Sequence, residues 1–366
     1  MRIKVVSPAD LRPAEVAAWR DIQSESSQYA NPFLGPDFAR AVSAVRPRVR
    51  VAVAEQAGDS VAFFPFEHGA LGVGCAVGLG VSDCQAVVQR PGAVREAEPL
   101  LRACGLTVWE FDNLVGDAPP FSPFARRFHP SAVMDVSDGY EQYKARVSQN
   151  SKRFLGDMRR FTRKLAREVG DIRFVFDERD PEQLRTLMRW KSAQYRRTGR
   201  RDRFAKPWIA ELLRRLHAAR CESSPVGVLS VLYAGGQPVA THFGLWSERV
   251  FATWFPAYDT HFARYSPGML LYLRMAEEAA GAGVAYLDLA RGASQYKDTL
   301  KTRDQTVAEG WVALPSAGAV THWLRRVPVG IAYDAVLERP YLRQAARRTL
   351  NGVGALRTRW TESPVT

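Results

Sequence analysis

Two side chains in the C-terminal half have the chemistry to move a proton. Asp288 interrupts the apolar stretch VAYLDLA, and His242 lies within VATHFGL. A carboxylate inside an apolar strand is unfavourable unless it is paired or functional, and histidine exchanges protons near neutral pH. Asp288 is therefore either a general base or the partner of Arg291 or Lys297 in a salt bridge. His242 is either a second candidate base or a hydrogen-bonded core residue.

A short segment between these two residues has the composition of an anion site. It reads RYSPGM and is predicted to begin a helix directly after a strand and a loop. The first turn of a helix has free N–H groups and a partial positive charge, which suits a phosphate. An ordinary capped helix is the alternative, because Ser-Pro is common at this position. The predicted donor-phosphate residues are Arg264, Tyr265, Ser266, Pro267, Gly268 and Met269.

A third group consists of polar and aromatic side chains that lie near Asp288 and the anion segment in the sequence. Tyr258, Arg291, Tyr296 and Lys297 are predicted to form an acceptor pocket, although Lys297 could instead be a solvated helix lysine. Pro256 lies near the end of RVFATWFPAY and cannot donate a ladder hydrogen bond. We therefore expect the strand either to end there or to part from its neighbour.

The composition is that of a soluble globular protein. The chain has 366 residues, of which 46% are hydrophobic and 24% charged, and a prior of about 150 residues per domain gives two or three domains. No apolar stretch approaches the length of a membrane helix, and the start lacks the apolar region of a secretory signal. The four cysteines form no CxxC pair, so we expect no metal site, no disulfide framework and a cytoplasmic location.

The positive charge is concentrated in one segment. The formal net charge is +13, and residues 141–220 alone hold 23 Lys and Arg against 10 Asp and Glu. Such a patch attracts a nucleotide cofactor, a sugar nucleotide, RNA or an anionic membrane surface. A solvated helix face is the alternative. Residues 321–366 add 8 basic against 3 acidic residues and are predicted to be a basic helical tail.

The candidate residues lie on helices and strands whose predicted order along the chain is recognisable. Turn residues and apolar periods predict a long helix over 139–169, followed over 172–314 by the order β-α-α-β-β-β-α-β-α-β. A shift of 178 positions places Gly58 on Gly236 and Gly105 on Gly283, which indicates a duplicated architecture unless the match is chance. The predicted segments are an N-terminal domain (1–138), a helical connector (139–170), a C-terminal domain (171–320) and the tail (321–366).

Four stretches of the chain carry a family resemblance: VATHFGLW, WFPAYDTHFARYSPGMLLYLRMAEEAAGAGVAYLDLARG, QYK and the N-terminal NPFLGPDF. With these stretches the chain, above all its C-terminal half, resembles the FemAB-like branch of GNAT acyltransferases, especially the CelD (BcsL)-like subfamily associated with polysaccharide biosynthesis. The resemblance implies an α/β (α+β) fold with two GNAT-like domains in tandem, each a mixed, mostly antiparallel sheet flanked by helices. It also implies acyl-CoA, with acetyl-CoA first, as co-substrate, and transfer to an amine or hydroxyl of a saccharide, nucleotide sugar or cell-envelope precursor.

Two other functions stay open at this point. The resemblance includes FemAB proteins, which use aminoacyl-tRNA, and the basic segment keeps tRNA as a candidate partner. A GNAT-fold scaffold without catalysis is the third hypothesis. No DNA-binding motif is present, so DNA is not an expected partner. The basic tail either contacts a membrane surface or a polysaccharide synthase, which would place the protein at the inner face of the membrane, or packs against the domains.

Overall fold

A computed structural model describes residues 1–78, 80–116, 119–219, 226–322 and 324. Alternating apolar residues form strands that join one mixed sheet, with helices on both faces. The strands are β1 Arg2–Val6, β2 Val49–Gln56, β3 Asp59–His68, β4 Val73–Cys75, β5 Val88–Gln89, β6 Val108–Val115, β7 Ala125–Asp135, β8 Ile172–Val175, β9 Gly227–Ala234, β10 Gln237–Trp246, β11 Val250–Tyr258, β12 Tyr286–Arg291 and β13 Arg303–Ala313. The helices are α1 Pro13–Glu25, α2 Pro36–Ser43, α3 Ala97–Ala103, α4 Tyr140–Asn150, α5 Phe154–Glu168, α6 Pro181–Arg197, α7 Pro207–Ala218, α8 Pro267–Gly281 and α9 Gln295–Leu300.

The two halves of the chain repeat the same strands. Strands β2, β3 and β7 become β9, β10 and β13 when both of their boundaries are shifted by 178 positions. The hairpin glycines Gly58 and Gly236 both have positive φ, as do Gly105 and Gly283 after α3 and α8. Glycine suits these positions because it adopts positive φ without a steric penalty. The duplicated architecture predicted from the sequence is therefore present in the structure.

Each half completes its sheet with a strand from the other half. The order along the sheet is β1-β2-β3-β4-β6-β13-β7-β12-β11-β10-β9-β8. Strand β13, from the end of the described chain, pairs with β6 and β7, while β7 also pairs with β12. The sheet is therefore continuous across the predicted boundary at residue 138.

The predicted helix over 139–169 is two helices. The chain is extended at Ser151, which separates α4 from α5. Ser148 donates its hydroxyl to the carbonyl of Lys144 at 2.8 Å, and the run Ser-Gln-Asn-Ser offers further local partners. Such side chains compete with the helical hydrogen bonds of the backbone. The prediction of a single helix was wrong for this reason.

The two halves also share part of their hydrophobic core. Trp254 of β11 meets the rings of Phe33 and Phe38 edge to face, with centroids 5.3 and 6.0 Å apart. Its indole N–H donates to the carbonyl of Val81 at 2.7 Å. These contacts fix the N-terminal segments 31–38 and 80–87 against strand β11, where the candidate site lies.

Strands β11 and β12 run parallel only for a short distance. They pair from Val250 with Tyr286 to Ala252 with Asp288, and their paired register ends there. The sequence placed the parting at Pro256, four residues later. Parallel strands that separate leave backbone groups and side chains facing a cleft. The residues at this fork between β11 and β12 therefore form the candidate site.

Candidate functional site

A β-bulge marks the start of the fork. The register between β10 and β11 shifts at Phe243 and Gly244, which leaves Trp254 as the extra residue. The backbone N–H of Trp254 donates to Nε2 of His242 at 3.2 Å. A Cβ on Gly244 would lie 2.6 Å from the carbonyl oxygen of Ala252, so the bulge needs glycine at this position.

His242 is held as a neutral hydrogen-bond acceptor. The residue is fully buried, and burial lowers its pKa to about 3, with the charge of Lys191 adding to the effect. Its Nε2 accepts from the bulge, and its Nδ1 has no partner among the described residues. These contacts show His242 supporting the bulge. Its predicted role as a base stays untested.

Asp288 joins the two halves of the molecule. Its carboxylate accepts hydrogen bonds from the side chain of Asn31 at 2.8 Å and from the hydroxyl of Ser131 at 3.4 Å. It also accepts from the backbone N–H of Ala290 at 2.8 Å. The residue is 6% exposed, and burial raises its pKa although these hydrogen bonds oppose the shift. Asp288 thus has buried hydrogen-bond partners rather than a salt bridge with Arg291.

The end of β12 is strained and is held by two charged side chains. Ala290 has a φ of 61°, a conformation that costs a residue with a Cβ about 1–3 kcal/mol. Lys297 donates from Nζ to the carbonyls of Ala290 and Arg291, both at 2.9 Å, while Asp288 binds the N–H of Ala290. An ammonium has three N–H donors, so one remains after these two bonds. Burial lowers the pKa of Lys297.

The structure adds a carboxylate that the sequence analysis missed. Asp83 lies in the N-terminal half, yet it is close enough to Arg203, Asp288 and Lys297 for their charges to act on it. Burial raises the pKa of Asp83 to about 7, and Asp288 adds to the effect while Arg203 opposes it. A single sequence offers only a weak signal for it, one acid in the small-residue run GVGCAVGLGVSDC.

A basic loop lies beside the same group. The loop between α6 and α7 contains Arg200 and Arg203. Burial lowers the pKa of Lys191 to about 8, and the charges of Arg200 and Arg203 add to the effect. Lys191 donates from Nζ to the carbonyl of Pro256 at 2.9 Å, near the end of β11. The fork is therefore bordered by positive charge from the segment that the sequence identified as basic.

The predicted phosphate segment begins α8 as expected, but several of its side chains have structural roles. Ser266 is the N-cap residue of α8 and Pro267 its first residue, but Ser266 has a φ of 50° and its side chain makes no cap hydrogen bond. Tyr265 is fully buried and donates its hydroxyl to Glu168 at 2.7 Å. Arg264 lies 3.5 Å from the same carboxylate and over the Tyr265 ring. Pro267 is buried, whereas Gly268 and Met269 are half-buried.

The predicted acceptor residues are distributed around the fork. Tyr296 stacks on Tyr272 with ring centroids 5.5 Å apart, and burial raises its pKa. Arg291 donates to the carbonyl of Asp112 and lies 3.3 Å from Glu309, so it bridges to β6 and β13. Tyr258 is 37% exposed at the end of β11. The structure thus brings Tyr296 and Lys297 together at α9, with Tyr258 at the other arm of the fork.

The equivalent fork in the N-terminal half is filled by its own chain. Strands β4 and β6 pair from Val73 with Val108 to Cys75 with Glu110. Beyond this point Gln85 exchanges backbone hydrogen bonds with Asn113 and Val115, each 2.9 Å long. The side chain of Gln85 accepts from the N–H groups of Asp112 and Asn113 at 2.9 and 3.2 Å. Segment 80–87 therefore closes the N-terminal fork and carries Asp83 to the C-terminal one.

Within the described part of the chain, no helix is long and apolar enough to cross a membrane. The predicted basic tail, residues 321–366, falls outside the described residues except for its first positions.

Comparison with known proteins supports the fold. Residues 152–298 match the family model of the acetyltransferase (GNAT) domain. No curated protein sequence matches the chain significantly. FemX is similar with a TM-score of 0.59 at 9% identity, over 88% of this chain and 99% of that one. L-PGS from Bacillus licheniformis gives 0.51 at 13%, over 87% and 97%.

A conserved protein of unknown function from Bacteroides thetaiotaomicron gives a TM-score of 0.53 at 12% identity, over 84% of this chain and all of that one. At such identities the likeness shows the fold alone. The predicted fold class, an α/β fold of GNAT-like architecture with mixed strands flanked by helices, is confirmed, and the strands of both halves join one large sheet. The family-model match supports transferase activity. The FemAB-like or CelD-like branch stays a prediction.

Proposed function

We propose that the protein transfers an acyl group from acyl-CoA directly to an amine or hydroxyl of a saccharide, nucleotide sugar or cell-envelope precursor. The observation that carries this proposal is the group of Asp83, Asp288 and Lys297 beside the fork between β11 and β12. The GNAT domain match over 152–298 supports acyl-CoA as the donor. Acetyl-CoA is the first donor to test.

Asp83 is the side chain best suited to take the acceptor's proton. Proton transfer is most efficient when the pKa of the base lies near the working pH, and the pKa of Asp83 is raised to about 7. The acceptor nitrogen or oxygen then attacks the thioester carbonyl. A new C–N or C–O bond forms, the C–S bond breaks, and the CoA thiolate leaves and takes up a proton. Asp288 and His242 position the fork in this proposal.

Lys297 is suited to stabilise negative charge in this reaction. Two of its N–H groups bind backbone carbonyls, and the third is available for the tetrahedral oxyanion or the leaving thiolate. The first turn of α8, with Gly268, is proposed to bind the donor phosphates, assisted by Arg200 and Arg203. Tyr258 and Tyr296 border the acceptor.

The state of Cys84 favours direct transfer of the acyl group over a covalent acyl-enzyme. Cys84, the cysteine beside Asp83, is buried, and burial raises its pKa well above the usual range. A thiol in this state is a poor nucleophile, because the thiolate is the reactive form. A covalent acyl-enzyme on Cys84 is therefore not part of the proposal.

Aminoacyl-tRNA is the second candidate donor, and one observation favours it. The basic loop with Arg200 and Arg203 borders the fork, as an RNA acceptor stem would require. Binding of RNA depends steeply on salt because each phosphate contact releases counterions. A CoA thioester held by a few hydrogen bonds depends less on salt, so the two donors are separable.

The test measures release of free CoA from acetyl-CoA in the presence of amino-sugar and nucleotide-sugar acceptors. We expect the wild type to release CoA only with an acceptor, and Asp83→Asn to be slower by about 10²–10⁴-fold. Asp59→Asn, at an exposed hairpin position, is the matched control and should retain the wild-type rate. Equal rates for Asp83→Asn and wild type would overturn the assignment of the base.

A further inference from the structure

A cavity lies away from the fork, between helices α4, α5 and α8. Its volume is about 460 Å³, within the range of roughly 300–1,000 Å³ that is usual for ligand pockets. The floor is aliphatic and comes from α5, α8 and two strands at the end of the sheet. The apolar side chains that line it are Leu155, Met158, Ile172, Leu232, Leu270 and Leu273. We call this cavity the helical groove.

The rim of the helical groove is basic. Arg159 and Arg163 are one helical turn apart on α5 and are exposed, and among the described residues neither has a carboxylate partner. Lys144 and Arg274 complete the rim and pair with Glu141 and Glu277 at 2.6 and 2.9 Å. An apolar floor under unpaired cationic groups is complementary to an amphiphile with a negatively charged head.

We propose that the helical groove binds an anionic phospholipid of a membrane surface, with the phosphate on Arg159 and Arg163 and an acyl chain on the floor. The outer face of helix α5 carries further basic residues, because its apolar side chains Phe154, Met158 and Leu165 pack into the core and leave the charged positions exposed. Basic side chains near an anionic membrane surface add to this attraction. The occupancy does not depend on the proposed acyl transfer.

Other candidate occupants would leave the apolar floor or the basic rim of the helical groove without a complementary partner. RNA would pair with the arginines but would leave the aliphatic floor in contact with water. The chain's own tail, residues 321–366, carries 8 basic and 3 acidic residues and would be repelled by the rim. A second copy, with a net charge of +13, meets the same repulsion.

The test is sedimentation of the full chain with vesicles of phosphatidylcholine, with and without phosphatidylglycerol. We expect binding only to the vesicles with phosphatidylglycerol, and a loss of at least about tenfold in the variant R159E/R163E. The control variant R185E/R214E makes the same change of charge at exposed positions on α6 and α7. These helices pack on the opposite face of the sheet, so the control should bind like the wild type.

A second variant tests the apolar part. Leu155→Gln leaves the charge unchanged and should weaken vesicle binding, while R159Q/R163Q provides a milder change of the rim if R159E/R163E melts early. Retained binding by both rim variants, or equal losses in R185E/R214E, would overturn the proposal. It would also be overturned by RNA that binds more tightly than the vesicles and displaces them. Binding of acetyl-CoA should be unchanged in all variants, which separates this test from that of the proposed function.

Discussion

At the scale of single residues, burial separates the titratable groups of the fork into those that hold structure and those suited to chemistry. His242 and Asp288 are buried with specific backbone or side-chain partners. Asp83 is half-buried, and its raised pKa of about 7 matches a base that works near neutral pH. The sequence predicted His242 and Asp288 because each is a polar residue in an apolar strand, and Lys297 because it is a basic residue that could bind the acceptor.

Asp83 could not be found in this way, since its importance comes from tertiary structure. It lies in the N-terminal half, and its neighbours Asp288 and Lys297 are more than 200 positions away. Asn31, which binds Asp288, was part of the NPFLGPDF stretch but carried no predicted role. Contacts between residues in the two halves of the fold cannot be predicted from local patterns in one sequence.

Asp83→Asn should stabilise the protein at alkaline pH. In the folded state the pKa of Asp83 is about 7, against 3.8 for an ordinary aspartate, so the folded state binds more protons between these values. Wild-type stability therefore falls as pH rises through this window. We expect the variant to be more stable by about 0.5–2 kcal/mol at pH 8, and equal to the wild type near pH 4. Urea unfolding at both pH values measures the difference, and equal stability at pH 8 would contradict it.

His242 should make the protein sensitive to acid. Its folded pKa of about 3 lies below the ordinary 6.5, so the unfolded state binds more protons between these values. Stability is present above pH 6.5 and is lost as pH falls towards 3. His242→Gln, which can still accept from Trp254, should show a smaller loss over this range. His242→Leu should be less stable by about 1–3 kcal/mol at pH 7, because the bulge N–H loses its acceptor. Parallel acid profiles of wild type and His242→Gln would refute this account.

At the scale of elements, local patterns predicted most strands and helices but not their partners. Turn residues and apolar alternation located β9, β10 and β11, and the shift of 178 positions located β2 and β3 as the counterparts of β9 and β10. The exchange of β7 and β13 could not be predicted, because strand pairing between distant segments leaves no local signal. The break between α4 and α5 was hidden by charged residues that favour helix on both sides.

The strand exchange predicts that neither half folds alone. Fragment 1–138 lacks β13, and fragment 139–366 lacks β7, so each would leave long strands without a neighbour. We expect each fragment alone to be insoluble or to unfold without cooperativity, and the two to purify together when they are co-expressed. Circular dichroism melting and co-purification measure this outcome. A cooperative melt of fragment 139–366 alone would show that the exchanged strand is dispensable.

At the scale of the whole molecule, duplication gave two forks, and the chain itself fills the N-terminal one. Segment 80–87 fills the N-terminal fork and supplies Asp83 and a contact to Trp254 at the C-terminal fork. The basic residues of segment 141–220 lie on two surfaces, the loop at the fork and the rim of the helical groove. The sequence predicted the excess of charge but not its separation onto two surfaces.

The most direct test of the central claim is thermal stabilisation of the full chain by acetyl-CoA, free CoA and longer acyl-CoAs at low and moderate salt. A ligand at about 100 times its Kd adds roughly 2.7 kcal/mol to stability. We expect a rise in Tm with acetyl-CoA that persists at moderate salt and is retained in Asp83→Asn, since the base acts on the acceptor. The absence of a shift with every CoA compound, together with salt-sensitive stabilisation by aminoacyl-tRNA, would contradict acyl-CoA as the donor.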